Sequence, residues 1–396
     1  MKMSLSKEPN PATPITVFDL IQTGFTVCFR LPWVVGTTLL LRYRPWNTYR
    51  PPPLREHLFR HVMTCLGNHV PLPLWQWYLA PDTSGSNIKT STRYGHIPHL
   101  FEWVQTKKYT GYWLLRSLSV EPIEPRDADI VILHAHGGGY VSGHPSTGAP
   151  EHIFLSEILE SKGVKTAVFS LDYTLAPKAA FPIQRDEIIA AWDWLVDDLG
   201  VTLEKIVVMG DSAGGHLIMS LLFGLYERSK TDGFAHTKPA AAVLVSPWLN
   251  LHSDHPRTME LYWEERLHKR SLDTYCEWIL RDASKEEDLL YGNFASGREK
   301  RGSWKDILPP RMLITAGSEE LVFLYDIEDF VKQARTDGAD VVLHVELGKN
   351  HAWQCSEALG QQGRLLALVK DKDVPQGIMP GYLELAMGIL NISKGD

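Results

Sequence analysis

The chain has 396 residues, of which 44% are hydrophobic and 22% charged, with 30 glycines and 25 prolines; it can build a sizeable core and does not have the composition of a disordered, collagenous or coiled-coil protein. Forty Lys and Arg against 47 Asp and Glu give a net charge of −7, spread along the sequence, which removes the electrostatic basis for a nucleic-acid partner. The four cysteines, Cys28, Cys65, Cys276 and Cys355, form neither a close pair nor a run at zinc-ligand spacing, so the expected setting is reducing and cytoplasmic, with no bound metal.

Residues 15–41 are mostly apolar, but Asp19, Gln22, Arg30 and Pro32 interrupt them before about 20 continuous apolar residues accumulate. A transmembrane helix is therefore not expected, and the early Asp19 without a small-x-small site argues against a secretory signal. Arg42, Tyr43, Arg44, Trp46, Tyr49 and Arg50 follow, a mixture suited to a bilayer interface. Residues 15–50 are expected either to touch a membrane surface, such as that of the endoplasmic reticulum, or to cover a core face or substrate cavity. Pro51, Pro52 and Pro53 end any helix arriving from this side, Pro71, Pro73 and Pro81 break the aromatic stretch around Trp75, Trp77 and Tyr78, and the polar run 82–91 predicts a loop. Residues 1–95 thus read as an N-terminal cap or membrane-proximal segment.

From residue 96 the pattern changes. Strands are predicted over 101–104, 112–115, 130–133, 166–171, 206–209, 241–245, 312–315 and 341–345, with helices over 151–159, from Pro182, from Gly210 to about Tyr226, and over 322–333. In the second of these helices Ile188, Trp192 and Leu195 share one face. Buried strands alternating with helices predict an α/β fold, a mostly parallel sheet covered on both faces. Residues 96–249 and 306–396 form this core; the charged and aromatic stretch 250–305, with Trp263, Tyr275 and Trp278, reads as a helical cap insertion near the carboxyl ends of the strands, where open sheets bind ligands. The helical pattern at 379–392 suits either the sheet surface or a homodimer face.

Gly210, Asp211, Ser212, Ala213 and Gly214 match Gly-x-Ser-x-Gly between a predicted strand and a predicted helix. So sharp a turn forces the central residue into a strained conformation and projects the Ser212 hydroxyl above the sheet, with the Ala213 amide beside it. His136, Gly137, Gly138, Gly139 and Tyr140 follow the strand at 130–133 and match a glycine loop whose amides meet a developing oxyanion. A phosphate loop is the rival, but neither Gly-Lys-Ser/Thr nor Gly-x-Gly-x-x-Gly is present. His136 is expected to hold this loop by hydrogen bonding.

A serine nucleophile needs a base, and the chain order Ser, acid, His directs attention to the last loops. His351 lies on the loop after the final strand, whereas His344 lies inside that strand and is expected to face the sheet. The acid is expected after the strand at 312–315, where Glu319 and Glu320 both qualify and Asp326 is a third candidate.

With these residues identified, the chain resembles the hormone-sensitive-lipase branch of the α/β-hydrolase superfamily, in the form found among fungal esterases and steryl-acetate-deacetylase-like proteins. The resemblance runs from Ile130 to Trp353 and rests on residues 136–139, 172–177 with Phe181 and Pro182, 210–215 and 246–248. It implies an α/β-hydrolase fold with Ser212 as nucleophile, His351 as base, and Gly138, Gly139 and Ala213 as oxyanion amides, supported by His136 and Asp211. The family's Gly-x-x-Asp pattern places the acid on Glu320, three positions after Gly317, although glutamate stands where most relatives have aspartate. Lys178 and His216 also depart from the common residues.

The implied activity is that of a serine esterase or deacetylase without cofactor. Trp33, Trp46, Trp75, Trp77, Trp263 and Trp278 in the cap segments suggest a hydrophobic ester, such as the acetate of a sterol, terpenoid or polyketide in secondary metabolism. An acyltransferase or amidase using the same acyl-enzyme, or an inactive small-molecule-binding protein, are the alternatives.

Overall fold

The structure, a computed structural model, describes residues 14–43, 53–78, 82–231, 237–259, 269–296, 300–370, 373 and 377–394. Arg44, Trp46, Tyr49, Arg50, Pro51, Pro52, Pro81 and Trp263 lie outside these residues. Eight strands form one sheet: β1 (Glu102–Gln105), β2 (Thr110–Arg116), β3 (Ile130–Ala135), β4 (Thr166–Asp172), β5 (Ile206–Asp211), β6 (Ala241–Val245), β7 (Met312–Gly317) and β8 (Val341–Glu346), in the order β1-β2-β4-β3-β5-β6-β7-β8. Each predicted strand is present. The β1–β2 and β2–β4 pairs are antiparallel and all others parallel. β3, β6 and β7 are buried along their whole length, which their runs of Val, Ile, Leu and Ala require, since parallel strands are covered on both sides.

The N-terminal unit is helical: α1 (Val17–Arg42), α2 (Leu54–His69), α3 (Leu72–Tyr78) and α4 (Asp82–Lys89). α1 differs from the expectation of an interrupted apolar run. Its 26 residues are continuous, with a mean hydropathy of 1.4 over an 18-residue window and 11% of that window buried, so it is long and apolar enough to cross a membrane by length and composition. A π turn at Thr26–Arg30 precedes Pro32 and lets the helix pass a residue that lacks an N–H and crowds the preceding turn. α1 and α2 pack as an antiparallel pair, with Gln22 Nε2 donating to the His69 carbonyl at 3.0 Å near one end and Arg42 Nη1 3.4 Å from His57 Nδ1 near the other. Phe18, Ile21, Phe29, Trp33 and Leu40 are exposed and so are not part of the core.

α4 corrects the predicted loop at 82–91. Its residues have poor helix propensity, but Ile88 is fully buried in the cluster that holds Ile153. Burying one such side chain contributes about 2 kcal/mol, more than the roughly 1 kcal/mol that Gly85 costs within a helix.

α5 (Ala149–Ser161) covers one face of the sheet together with the C-terminal helix, and α6 (Ile183–Asp193), α7 (Ala213–Ser229) and α9 (Leu321–Thr336) cover the other. Ile188, Trp192 and Leu195 are fully buried on that second face, as their spacing predicts. Between β6 and β7 the chain forms short helices, among them α8 (Lys269–Ile279). α10 (Trp353–Leu359) follows β8, and α11 (Pro380–Lys394) closes the first face, so the helix predicted at 379–392 packs on the sheet.

Candidate active site

Parallel strands deliver their carboxyl ends to one edge, and that edge carries the site. β3 pairs with β5 with Ala135 opposite Gly210, β5 with β6 with Asp211 opposite Val245, and β7 with β8 with Gly317 opposite Glu346. The loops that leave these positions hold residues 136–140, 212, 246, 318–320 and 347–351.

Ser212 joins β5 to α7 with φ 52° and ψ −117°, in the left-handed half of backbone space that non-glycine residues occupy only under constraint. Its amide donates to the Val245 carbonyl at 2.9 Å, and its own carbonyl accepts from the amides of His216 at 3.2 Å and Trp248 at 3.0 Å. Gly214 is required by close approach: a Cβ there would run into the Ala135 carbonyl of β3. The elbow is thus locked between β3, β6 and its own helix.

His351 Nε2 accepts from Ser212 Oγ at 3.0 Å, and its Nδ1 donates to Glu320 Oε1 at 2.6 Å. The side chain of Glu320 is 1% exposed and that of His351 13%. The second Glu320 oxygen accepts from Ser246 Oγ at 2.6 Å and from the Gly317 amide at 3.2 Å, so the buried carboxylate is hydrogen-bonded on both oxygens, as burial demands. The edge of the Phe323 ring lies against His351, centroids 4.9 Å apart.

Ser246 and Phe323 have no assigned role in the sequence reading. Ser246, at φ 45°, also accepts from the Ala352 amide at 2.9 Å, so one hydroxyl ties Glu320 to the residue after His351. The Ser-Pro-Trp run at 246–248, at the end of a core strand, is the only local signal for it.

The other candidates lie elsewhere. Glu319 pairs with Arg60 of α2, while His351 pairs with Glu320. Asp326 is buried on α9, where its Oδ1 accepts from Asn250 at 3.2 Å and burial pushes its carboxyl up to about 7. His344 corrects the expectation of a histidine facing the sheet: its side chain is 49% exposed and 3.2 Å from Glu346, because β8 is the edge strand and His344 shares its exposed face with Val342.

The glycine loop abuts the elbow. Gly138 has φ +111°, and a Cβ there would run into the Ser142 carbonyl, so only glycine fits this turn. The Gly137 amide hydrogen-bonds Asp211, whose carboxyl burial raises from its ordinary range against the pull of His136 and His152. His136 Nδ1 donates to the Gly137 carbonyl at 2.7 Å, its ring stacks on Tyr173 with centroids 4.3 Å apart, and Tyr173 Oη donates to the His136 carbonyl at 2.8 Å. Burial lowers the His136 imidazole, which suits a neutral, loop-holding residue. His216 is likewise pushed down, to about 4, by burial; its Nε2 donates to the Tyr291 carbonyl at 2.8 Å and its Nδ1 accepts from Tyr140 Oη at 2.8 Å. Tyr275 of α8 faces the loop, its ring 3.0 Å from where a Cβ on Gly139 would stand. Among the described residues no group of three or more His, Cys, Asp or Glu is placed to hold a metal ion.

A hydroxyl hydrogen-bonded to an imidazole that is itself oriented by a buried carboxylate is equipped for nucleophilic attack with proton transfer. Comparison with known proteins agrees with this chemistry. The sequence family described as the α/β hydrolase fold matches residues 132–355. The carboxylesterase/phospholipase LipF of Mycobacterium tuberculosis is 30% identical over 233 residues, 58% of this chain and 57% of LipF. The hormone-sensitive lipase of Mus musculus is 37% identical over 124 residues, 30% of this chain and 16% of that lipase. The chain therefore spans about half the length of LipF and a smaller share of the mouse lipase. The crystal structure of a hormone-sensitive lipase from a metagenome library shares the fold, with a TM-score of 0.61 at 21% identity over 87% of this chain and 100% of that one. The sheet order, the elbow and the match over residues 132–355 together show that the chain belongs to the α/β-hydrolase fold family.

Proposed function

We propose that the protein is a serine carboxylic-ester hydrolase that removes an acetyl or other short acyl group from a bulky hydrophobic alcohol of sterol, terpenoid or polyketide type. The observation that carries this reading is the imidazole of His351 held between Ser212 Oγ at 3.0 Å and Glu320 Oε1 at 2.6 Å. Ser212 Oγ attacks the ester carbonyl while His351 Nε2 takes its proton, and Glu320 stabilises the resulting imidazolium. The amides of Gly138, Gly139 and Ala213 receive the charge on the tetrahedral oxygen, each donor contributing about 3 kcal/mol to the barrier reduction. His351 then protonates the leaving alcohol, and water deprotonated by the same imidazole releases the acid from Ser212. Tyr275 over the glycine loop, with Trp278 6.2 Å from it, supports an apolar substrate.

A serine-directed phosphonate should add once to the wild type and not to Ser212→Ala, read as intact mass. A folded wild type that takes no adduct would move the protein to the binding-only reading. Turnover of short water-soluble esters without any bulky acetate would sink the substrate class.

The same proposal puts the protein at a membrane surface through α1. Support comes from Phe18, Ile21, Phe29, Trp33 and Leu40, all exposed, on a helix whose partner α2 carries Arg55, Glu56, His57 and Arg60. Those charges disfavour a spanning orientation for the pair and favour one lying in the interface. The wild type should float with phosphatidylcholine/phosphatidylserine vesicles and the double variant Phe18→Lys, Trp33→Lys should float several-fold less. Recovery of the wild type entirely in the vesicle-free fraction would refute the contact.

A further inference from the structure

The acid and the base arrive on different loops, and their register decides the 2.6 Å bond between them. Backbone bonds stitch the loops together: Ser318 N to the Glu346 carbonyl at 2.9 Å, Glu319 N to the Lys349 carbonyl at 2.8 Å, and Gly348 N to Ser318 Oγ at 2.8 Å. A third element reaches both. Arg60 of α2 donates through Nη1 to the carboxylate of Glu319, the residue before the acid, and through Nη2 to the Gly348 carbonyl at 2.5 Å, three residues before the base. Glu56, one helical turn away, accepts from Nη2 at 2.7 Å. The Arg60 side chain is 13% exposed and that of Glu319 39%, so a largely buried guanidinium meets the two loops at the surface. A second contact joins the N-terminal unit to the site, Gln76 Nε2 to the Val141 carbonyl at 2.7 Å, behind the glycine loop.

We infer that Arg60 is a positioning residue through which the N-terminal helices hold the Glu320 and His351 loops in register for proton transfer, with Glu319 as its counterpart on the acid loop. The inference rests on the reading of Ser212, His351 and Glu320 as the reacting groups. A planar guanidinium serves two loops at once, whereas an ammonium is a point charge on a flexible stem. An unclamped loop needs to drift only about 1 Å to lose up to roughly a hundredfold in rate.

The test is steady-state kinetics on a soluble ester with Arg60→Ala, Arg60→Lys, Glu319→Gln and the double variant Arg60→Ala, Glu319→Gln, alongside thermal melting. Arg60→Ala should lower kcat by about ten- to a hundredfold with KM changed less than about twofold. Glu319→Gln should move kcat the same way by less, Arg60→Lys should recover part of the loss, and the double variant should be no worse than Arg60→Ala, because the two side chains act as one unit. If Arg60→Ala does not fold, the nearly isosteric Glu319→Gln carries the test. A kcat within about twofold of wild type in the folded variants, a rise in KM alone, or additive losses in the double variant would overturn the inference. A wild type that neither turns over esters nor takes the phosphonate would instead overturn the hydrolase reading beneath it.

Discussion

Replacing His351 with alanine is expected to lower kcat for ester hydrolysis by about a millionfold, with melting shifted by only a few degrees. The imidazole accepts from the Ser212 hydroxyl and, in the proposed cycle, protonates the leaving alcohol, so its removal would disable both halves of that cycle. The elbow stays in place, because Ser212 is held through its amide to Val245 and its carbonyl to His216 and Trp248, none of which involves His351. Glu320 also keeps two of its partners, Ser246 Oγ and the Gly317 amide, so no carboxylate is left without hydrogen bonds. Kinetics and melting on the same preparation check both parts. A loss smaller than about tenfold would mean that another base approaches Ser212.

Glu320→Gln is expected to lower kcat by roughly ten-thousandfold, far more than Glu319→Gln. The reason is a tautomer. Glu320 Oε1 accepts from His351 Nδ1 at 2.6 Å, which leaves Nε2 unprotonated and able to take the serine proton. A glutamine that offers its NH₂ to Nδ1 puts the ring proton on Nε2, facing Ser212, where it blocks attack. At position 319 the same change only weakens the pairing with Arg60. Parallel kinetics on the two variants decide the assignment, and a greater loss at 319 would transfer the acid role.

The parts of this protein legible in its sequence are those governed by neighbours along the chain. β3, β6 and β7 announce themselves because strands covered on both faces need mostly apolar runs, such as residues 130–133, 241–245 and 312–314. Ser212 stands out because a strand that turns at once into a helix needs small residues on either side of the bend, at Gly210 and Gly214. His351 is reachable by its place after the last strand, whereas Glu320 is preferred to Glu319 only through a family pattern, its spacing from Gly317, and not through local chemistry.

Elsewhere the local pattern is silent or misleading, because the deciding partner is remote in sequence. Glu319 and Glu320 are adjacent and chemically alike, and they part only because Arg60 stands on one side of the turn and His351 and Ser246 on the other. Residues 82–89 have the composition of a loop and become a helix because burying Ile88 outweighs propensity. Residues 17–42 carry charges and a proline that suggest interruption, yet a π turn and the partner helix α2 keep them continuous. Composition and spacing along the chain determined the scaffold and marked Ser212 at its elbow; packing between distant segments brings one carboxylate and not its neighbour against the imidazole, since a side chain's direction in a loop depends on contacts that become neighbours only when the sheet closes.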